Sequence, residues 1–282
     1  MEIVAEGLKF PEGPVVMADG SVIVVETFGG CVTRCWNGCK EVISAPGGGP
    51  NGAAMGPDGA LYLCNNGGLG PGYFAGPENV GRIERIDLAT GACERLYGAC
   101  DGRALSAPND LMFDVEGNLW FTDFGKLEEN GKQYGGLYCC RADGSSITCI
   151  VDRATSYNGV GISPDMRAVY VADTIEARIY AVERKVEAQK PRFVATVPGK
   201  VSLDSLAMSA AGNICVATIG EHGAISTVTP EGVVSAVAME DHLTTNIAFG
   251  GADMRDAYVT WSMRGALVKM RWQEPGMRLV YN

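Results

Sequence analysis

Six stretches of this chain share one pattern, in which a polar residue is followed by a short apolar run, a turn built on Asp or Gly, and a second apolar run. EGPVVMADGSVIVVET begins at Glu12, NGAAMGPDGALYLCNN at Asn51 and NDLMFDVEGNLWFTDF at Asn109. NGVGISPDMRAVYVAD begins at Asn158, DSLAMSAAGNICVAT at Asp204 and NIAFGGADMRDAYVTWS at Asn246. The starts are 39, 58, 49, 46 and 42 residues apart, and passing from Asn246 through the end of the chain back to Glu12 takes 48. All 282 residues are thus one round of six units, and a fixed period decides the architecture before any single motif is weighed.

Each unit opens as a hairpin. Leu111-Met112-Phe113 precedes the turn Glu116-Gly117-Asn118, and Leu119-Trp120-Phe121-Thr122 follows it. Several units continue with a second pair of runs, as in Gly136 to Cys140, the turn Ala142-Asp143-Gly144, and Ser146 to Val151. Four short strands per unit, six times over, predict an all-β six-bladed β-propeller filling residues 1–282 as one domain, because each small sheet can bury its faces only against its neighbours. The last unit lacks a strand unless residues 1–11 supply it, so the termini are expected to meet in one blade. Two insertions, at 65–80 and 125–135, are long for compact connections and are expected to rim a pocket.

Composition closes off other readings. With 23 basic against 33 acidic residues the net charge is −10, and no Lys/Arg cluster interrupts it, so nucleic acid and anionic membrane are poor partners. Met1 to Glu6 has neither the basic nor the apolar segment of an export signal, and the expected location is the cytoplasm, with the ten cysteines as free thiols. Gly47, Gly49 and Gly52 spell GxGxxG, but no helical pattern follows to receive a dinucleotide.

The first residue of each unit occupies the same phase, and in a closed ring these positions converge on the axis. They are Glu12, Asn51, Asn109, Asn158, Asp204 and Asn246, a set made wholly of carboxylates and carboxamides. Oxygen donors around a ring suit a hard divalent cation such as Ca²⁺. The chain's two histidines, His222 and His242, do not suggest a His-built transition-metal centre. His242 lies in the charged stretch Glu240-Asp241-His242 and reads as surface.

FPEGPVV, SAPNDLMFDVEGNLWFTDFG, YNGVGISPDMRAVYVADT, LDSLAMSAAGNICVAT and TTNIAFGGADMRDAYVT run along nearly the whole sequence. Through them the chain resembles the family of senescence marker protein (regucalcin), gluconolactonase and luciferin-regenerating enzyme. The resemblance implies a propeller hydrolase with a divalent metal in the central channel, held by Glu12, Asn158 and Asp204, with Asn109 binding metal or orienting substrate. Ca²⁺ is the expected cation, with Zn²⁺, Mn²⁺ and Mg²⁺ as alternatives. The implied reaction is hydrolysis of a sugar lactone or related small lactone, with Asp204 as base, His222 as its substitute if its loop turns inward, and Asn51, Asn109 and Asn246 facing the substrate. Two other functions fit the same residues, a phosphotriester or phosphofluoridate hydrolase of the diisopropyl fluorophosphatase type and a calcium- or ligand-binding propeller without catalysis.

Overall fold

A computed structural model describes residues 1–68, 80–128 and 131–282. Among them there is no helix, and none therefore long and apolar enough to cross a membrane. Six four-stranded antiparallel sheets follow one another along the chain. The strand nearest the axis in each blade is Pro11–Val16, Pro50–Met55, Pro108–Phe113, Tyr157–Ile162, Val201–Met208 and Thr244–Gly250 for blades 1 to 6. Each of these inner strands touches the inner strands of the blades before and after it, and that of blade 6 touches that of blade 1, so the ring closes.

Closure uses both ends of the chain. Glu2–Ala5 pairs with Ala266–Arg271 and becomes the outermost strand of blade 6, Ile3 lying opposite Val268. Without it the sheet would present an open edge, and the N-terminal segment completes it as the repeat arithmetic requires.

Between the blades lie the apolar faces that alternation along each strand sends inward. Val22, Val24 and Leu267 pack between blades 6 and 1, Leu61, Leu63 and Val25 between blades 1 and 2, and Phe121, Tyr62 and Cys140 between blades 2 and 3. Ile162, Val171 and Val216 belong to the largest cluster, spanning blades 3 to 5. All ten cysteines are unpaired, and Cys35, Cys64, Cys100, Cys139, Cys140 and Cys215 are buried among these apolar side chains.

The turn after each inner strand shows why the repeated motif reads as it does. In blade 1 the Met17 N–H bonds the Ser21 carbonyl at 2.8 Å, and the turn needs a residue at φ +85°, supplied by Gly20. Blade 4 has Met166 at that place with φ 58°, where an L side chain is strained. The turns lie at the end of the ring opposite the polar first residue of each unit. Of the two insertions, residues 69–79 lie outside the described residues, and the second forms a small hairpin, Lys126–Glu128 with Gly131–Gln133.

Candidate active site

Every inner strand is interrupted at the same point. In blade 2 the ladder passes from Pro50 opposite Asn65 to Ala53 opposite Leu63, leaving Asn51 and Gly52 against Cys64 alone. Matching breaks in register fall between Glu12 and Val15, Pro108 and Leu111, Tyr157 and Val160, Leu203 and Leu206, and Thr244 and Asn246. A bulge puts two residues opposite one, bends the strand and re-aims side chains that regular alternation would send into the sheet. Six of them at one level turn Glu12, Asn51, Asn109, Asn158 and Asp204 toward the axis.

The sixth place in the ring differs from the sequence expectation. Thr244 lies opposite Trp261 and Ile247 opposite Val259, so the residue in phase with Glu12 and Asn51 is Thr245. Asn246 stands one step further along the strand, in phase with Gly13, Gly52, Asp110, Gly159 and Ser205. The pattern matching that began the sixth unit at Asn246 was one residue out, because the preceding threonine pair of TTNIAF offers no carboxylate or amide to mark the phase. Asn246 still enters the site, since its Nδ2 donates to Glu12 Oε2 at 3.1 Å while its Oδ1 accepts from the Ile247 N–H at 2.8 Å.

Small residues at the second bulge position let the blades close. A Cβ on Gly52 would lie 2.6 Å from the Asp110 Cα, and one on Gly159 would lie 2.6 Å from the Leu206 backbone nitrogen. The carbonyls that the bulges release are taken up by side chains of the neighbouring blade. Thr27 Oγ1 donates to the Pro50 carbonyl at 2.9 Å, and Ser262 Oγ to that of Pro11 at 2.7 Å. The Cys64 thiol points to the Asp110 carbonyl, and Thr122 Oγ1 donates to that of Asn158. Above them, acids and amides at the ends of the second strands clamp the incoming linkers, as when Asp123 accepts from the Ser106 and Ala107 N–H groups at 2.7 Å each.

The result is a strongly acidic, buried centre. Glu12, Asp110 and Asp204 are all at least nine-tenths buried. Burial is the main force raising the Glu12 carboxyl well above its ordinary value, and the charges of Asp204 and Asp110 add to it, against hydrogen bonds from Thr245 and Asn246. Burial likewise pushes Asp204 up to about 7, with Asn158 opposing and Asp110 adding. Asp110 also rises to about 7 by burial, opposed by the Leu111 N–H, by Ser205 and by the Val160 N–H. Among the described residues, the groups that set these three charges are acids, amides and hydroxyls, and no lysine, arginine or histidine is among them.

Asp110 is the member that reading the sequence passed over. Its signal was present, since the position is Gly or Ser in four units and an acid in NDLMF. His222 is exposed on the loop after the second strand of blade 5 and faces His242, outside the buried ring. His242 is exposed as expected, while its neighbour Asp241 is buried.

Three buried carboxamide oxygens in this centre have no hydrogen-bond partner, namely Oδ1 of Asn51, Asn109 and Asn158. A buried carboxamide oxygen left bare costs about 1–3 kcal/mol, so three on one circle beside three acids call for a shared partner. An all-oxygen set of this kind fits a hard divalent cation. Among the described residues no three Asp, Glu, His or Cys side chains cluster as a ready metal centre, which is consistent with a ring in which half the donors are amides.

The family model described as SMP-30/Gluconolactonase/LRE-like region matches residues 10–263. The chain belongs to this family. Among curated relatives it is similar to lactonase drp35 of Staphylococcus haemolyticus, 28% identical over 233 residues that cover 78% of this chain and 66% of the relative. The corresponding Staphylococcus aureus protein (strain MRSA252) is 27% identical over 234 residues, covering 78% of this chain and 67% of the relative. The match therefore spans only about two thirds of those relatives' length. Solved structures share the fold at lower identity. A gluconolactonase from Xanthomonas campestris superposes with a TM-score of 0.76 at 22% identity, covering 95% of this chain and 88% of the other. A luciferin-regenerating enzyme gives 0.77 at 18% identity, covering 98% and 95%. Regucalcin from Agrobacterium tumefaciens, described as a calcium-binding protein, gives 0.71 at 19%, covering 99% and 100%.

Proposed function

We propose that this protein of the SMP-30/gluconolactonase/LRE-like family is a divalent-cation-dependent lactonase that opens a sugar lactone or a related small cyclic ester. The observation that carries the reading is the buried centre in which the three carboxylates Glu12, Asp110 and Asp204 lie beside three unpartnered carboxamide oxygens. Lactonase activity in the drp35 relatives and the gluconolactonase and regucalcin folds support it.

Glu12, Asn109, Asn158 and Asp204 would hold the cation, Ca²⁺ being the best match to uncharged and carboxylate oxygens together. When bound, a divalent cation supplies Lewis acidity toward an ester carbonyl and toward the oxyanion that follows. The side chains supply position and proton transfer. Asn246 and the Gly13 N–H, at 3.1 and 3.2 Å, hold one Glu12 oxygen in place. Asp204 takes a proton from the attacking water, the carboxylate being the proton acceptor placed at the ring. Asn109 orients the carbonyl or the water, and Asn51 and Asn246 face the substrate. Asp110 adds a third buried acid beside Glu12 and Asp204.

A panel of lactones followed by acid release tests this, using protein stripped by a chelator and reloaded with Ca²⁺, Mn²⁺, Mg²⁺ or Zn²⁺. The expected outcome is loss of hydrolysis on stripping and recovery with one or more cations. Unchanged turnover after complete removal of metal would reject cation dependence, and no turnover of any lactone would reject the reaction class.

A further inference from the structure

The chain's two histidines are brought to one place. His222 lies on the loop between the strands Ile214–Gly220 and Ala224–Val228 of blade 5, and His242 on the segment entering the inner strand of blade 6. Both side chains are exposed. Their ring centroids are 6.5 Å apart and their planes differ by 24°. Pairing of Val201 with Gly220, and of Thr244 with Trp261, puts both segments at the ring-bearing end of the channel, over the blades that carry Asp204 and Thr245.

The backbone beneath the two rings is held from both sides. The Met239 N–H donates to the Gly223 carbonyl at 2.7 Å and the Gly220 N–H to the His242 carbonyl at 3.5 Å. The Asp241 carbonyl sits where a Cβ on Gly223 would stand, at 1.7 Å, so only glycine lets the segments approach this closely. Buried Asp241 fixes the second segment further, accepting from the Leu243 and Arg264 N–H groups at 2.8 Å each. Two exposed imidazoles are therefore presented by a locked frame.

Two rings bonded to one tetrahedral ion at about 2.0–2.1 Å per nitrogen have centroids about 5 Å apart. The near-parallel rings at 6.5 Å stand about 1 Å further apart than that, and rotation of the two exposed side chains is what has to bring both nitrogens onto one ion. Imidazole is a good ligand for Zn²⁺, Ni²⁺ and Cu²⁺, whereas Ca²⁺ and Mg²⁺ take oxygen. Exposed Glu221 lies beside His222, while Glu240 is engaged with Arg264 at 3.0 Å. We propose that His222 and His242 form a second metal site at the rim of the channel, taking a borderline d-block divalent cation such as Zn²⁺, with water completing its shell.

With two histidines in the chain, imidazole NMR of ¹⁵N-labelled full-length protein reads the site directly, and zinc taken up by thiols leaves those signals in place. Zn²⁺ is titrated with Ca²⁺ in excess to favour oxygen ligands elsewhere. Both imidazole spin systems are expected to shift together, with one midpoint near one equivalent. His242→Ala should weaken the response of His222 at least tenfold, His222→Ala should do the same to His242, and Glu12→Gln should leave both responses in place. Rings that stay unmoved, that shift at separate midpoints, or that respond to Zn²⁺ as strongly alone as in company would overturn the proposal.

Discussion

The same six inner strands build two different environments, one on each side of the bulge. Before it lie the ring residues, with buried acids and bare amide oxygens. Beyond it, Leu111, Val160, Leu206, Ile247 and their neighbours line a mainly apolar cavity of about 70 Å³, which Asp110 and Asn246 border from the polar side. The far end of that cavity is covered by the segment after blade 6. There the Met277 N–H bonds the Met208 carbonyl at 2.8 Å, Met277 and Leu279 line the void, and Tyr281 packs edge-on against Phe113 with centroids 5.7 Å apart. A bulge of one residue per strand thus separates a polar end that is poorly satisfied by the protein alone from an apolar end that is satisfied by packing. The binding and chemistry proposed above belong to the first, and the packing of the ring's far end to the second.

The largest effect that sharpens this contrast is on turnover. Asp204→Asn should lower lactone kcat by about 10²–10⁴-fold even with cation in excess, because the amide keeps an oxygen but cannot accept the proton. Circular dichroism should show the variant folded. A variant that regains wild-type kcat in excess Ca²⁺ would remove Asp204 as the base. Next in size, Asn109→Ala should retain some cation and lose rate, by about 2–4 kcal/mol of transition-state stabilisation. Metal content and kcat measured on both variants decide the order.

Below the bulge the expected signs reverse. Met277→Ala should cost about 2 kcal/mol of stability, within the range for a buried methionine, and lower Tm by about 3 °C. Turnover per folded molecule should be unchanged. If kcat fell in step with Tm, the two halves of the channel would be one cooperative unit and the separation argued from the bulge would fail.

How much of this was legible without coordinates follows the same division. The architecture was readable because the hairpin motif recurs with its turn intact, and Glu2–Ala5 was placed in the last blade by counting alone. Glu12, Asn51, Asn109, Asn158 and Asp204 were readable because each opens its motif with an oxygen-bearing side chain. Thr245 was not, since a threonine before an asparagine hides the phase, and the register of Thr244 against Trp261 is a property of strand pairing. Asp110 was overlooked for a different reason. Its importance comes from burial beside Glu12 and Asp204, and burial of a polar residue at a bulge cannot be inferred from a pattern in which alternation itself is interrupted. The pairing of His222 with His242 depends on two connections in different blades, for which the sequence carries no shared signal.

The smallest effect tests the acidic end by its proton balance. Asp110 is held near 7 in the folded chain, chiefly by burial, against about 3.9 when unfolded. A group whose folded value is raised binds more protons folded than unfolded between those limits. Its contribution to stability is therefore complete below about pH 4 and is lost as pH rises through about 7. Asp110→Asn removes the charge while keeping the shape. In metal-free protein the variant should then gain Tm over wild type by about 2 °C or more at pH 7.5, and the gain should shrink to nothing as pH falls toward 4. Thermal melts of both proteins after chelator treatment, at half-unit pH steps, give the difference curve. Adding Ca²⁺ should reduce the advantage or invert it at pH 7.5, because a cation in the ring turns the same buried charge from a cost into an attraction. A difference that is flat with pH would mean that Asp110 is already neutralised within the fold, and the acidic ring would then be one charge smaller than its geometry indicates.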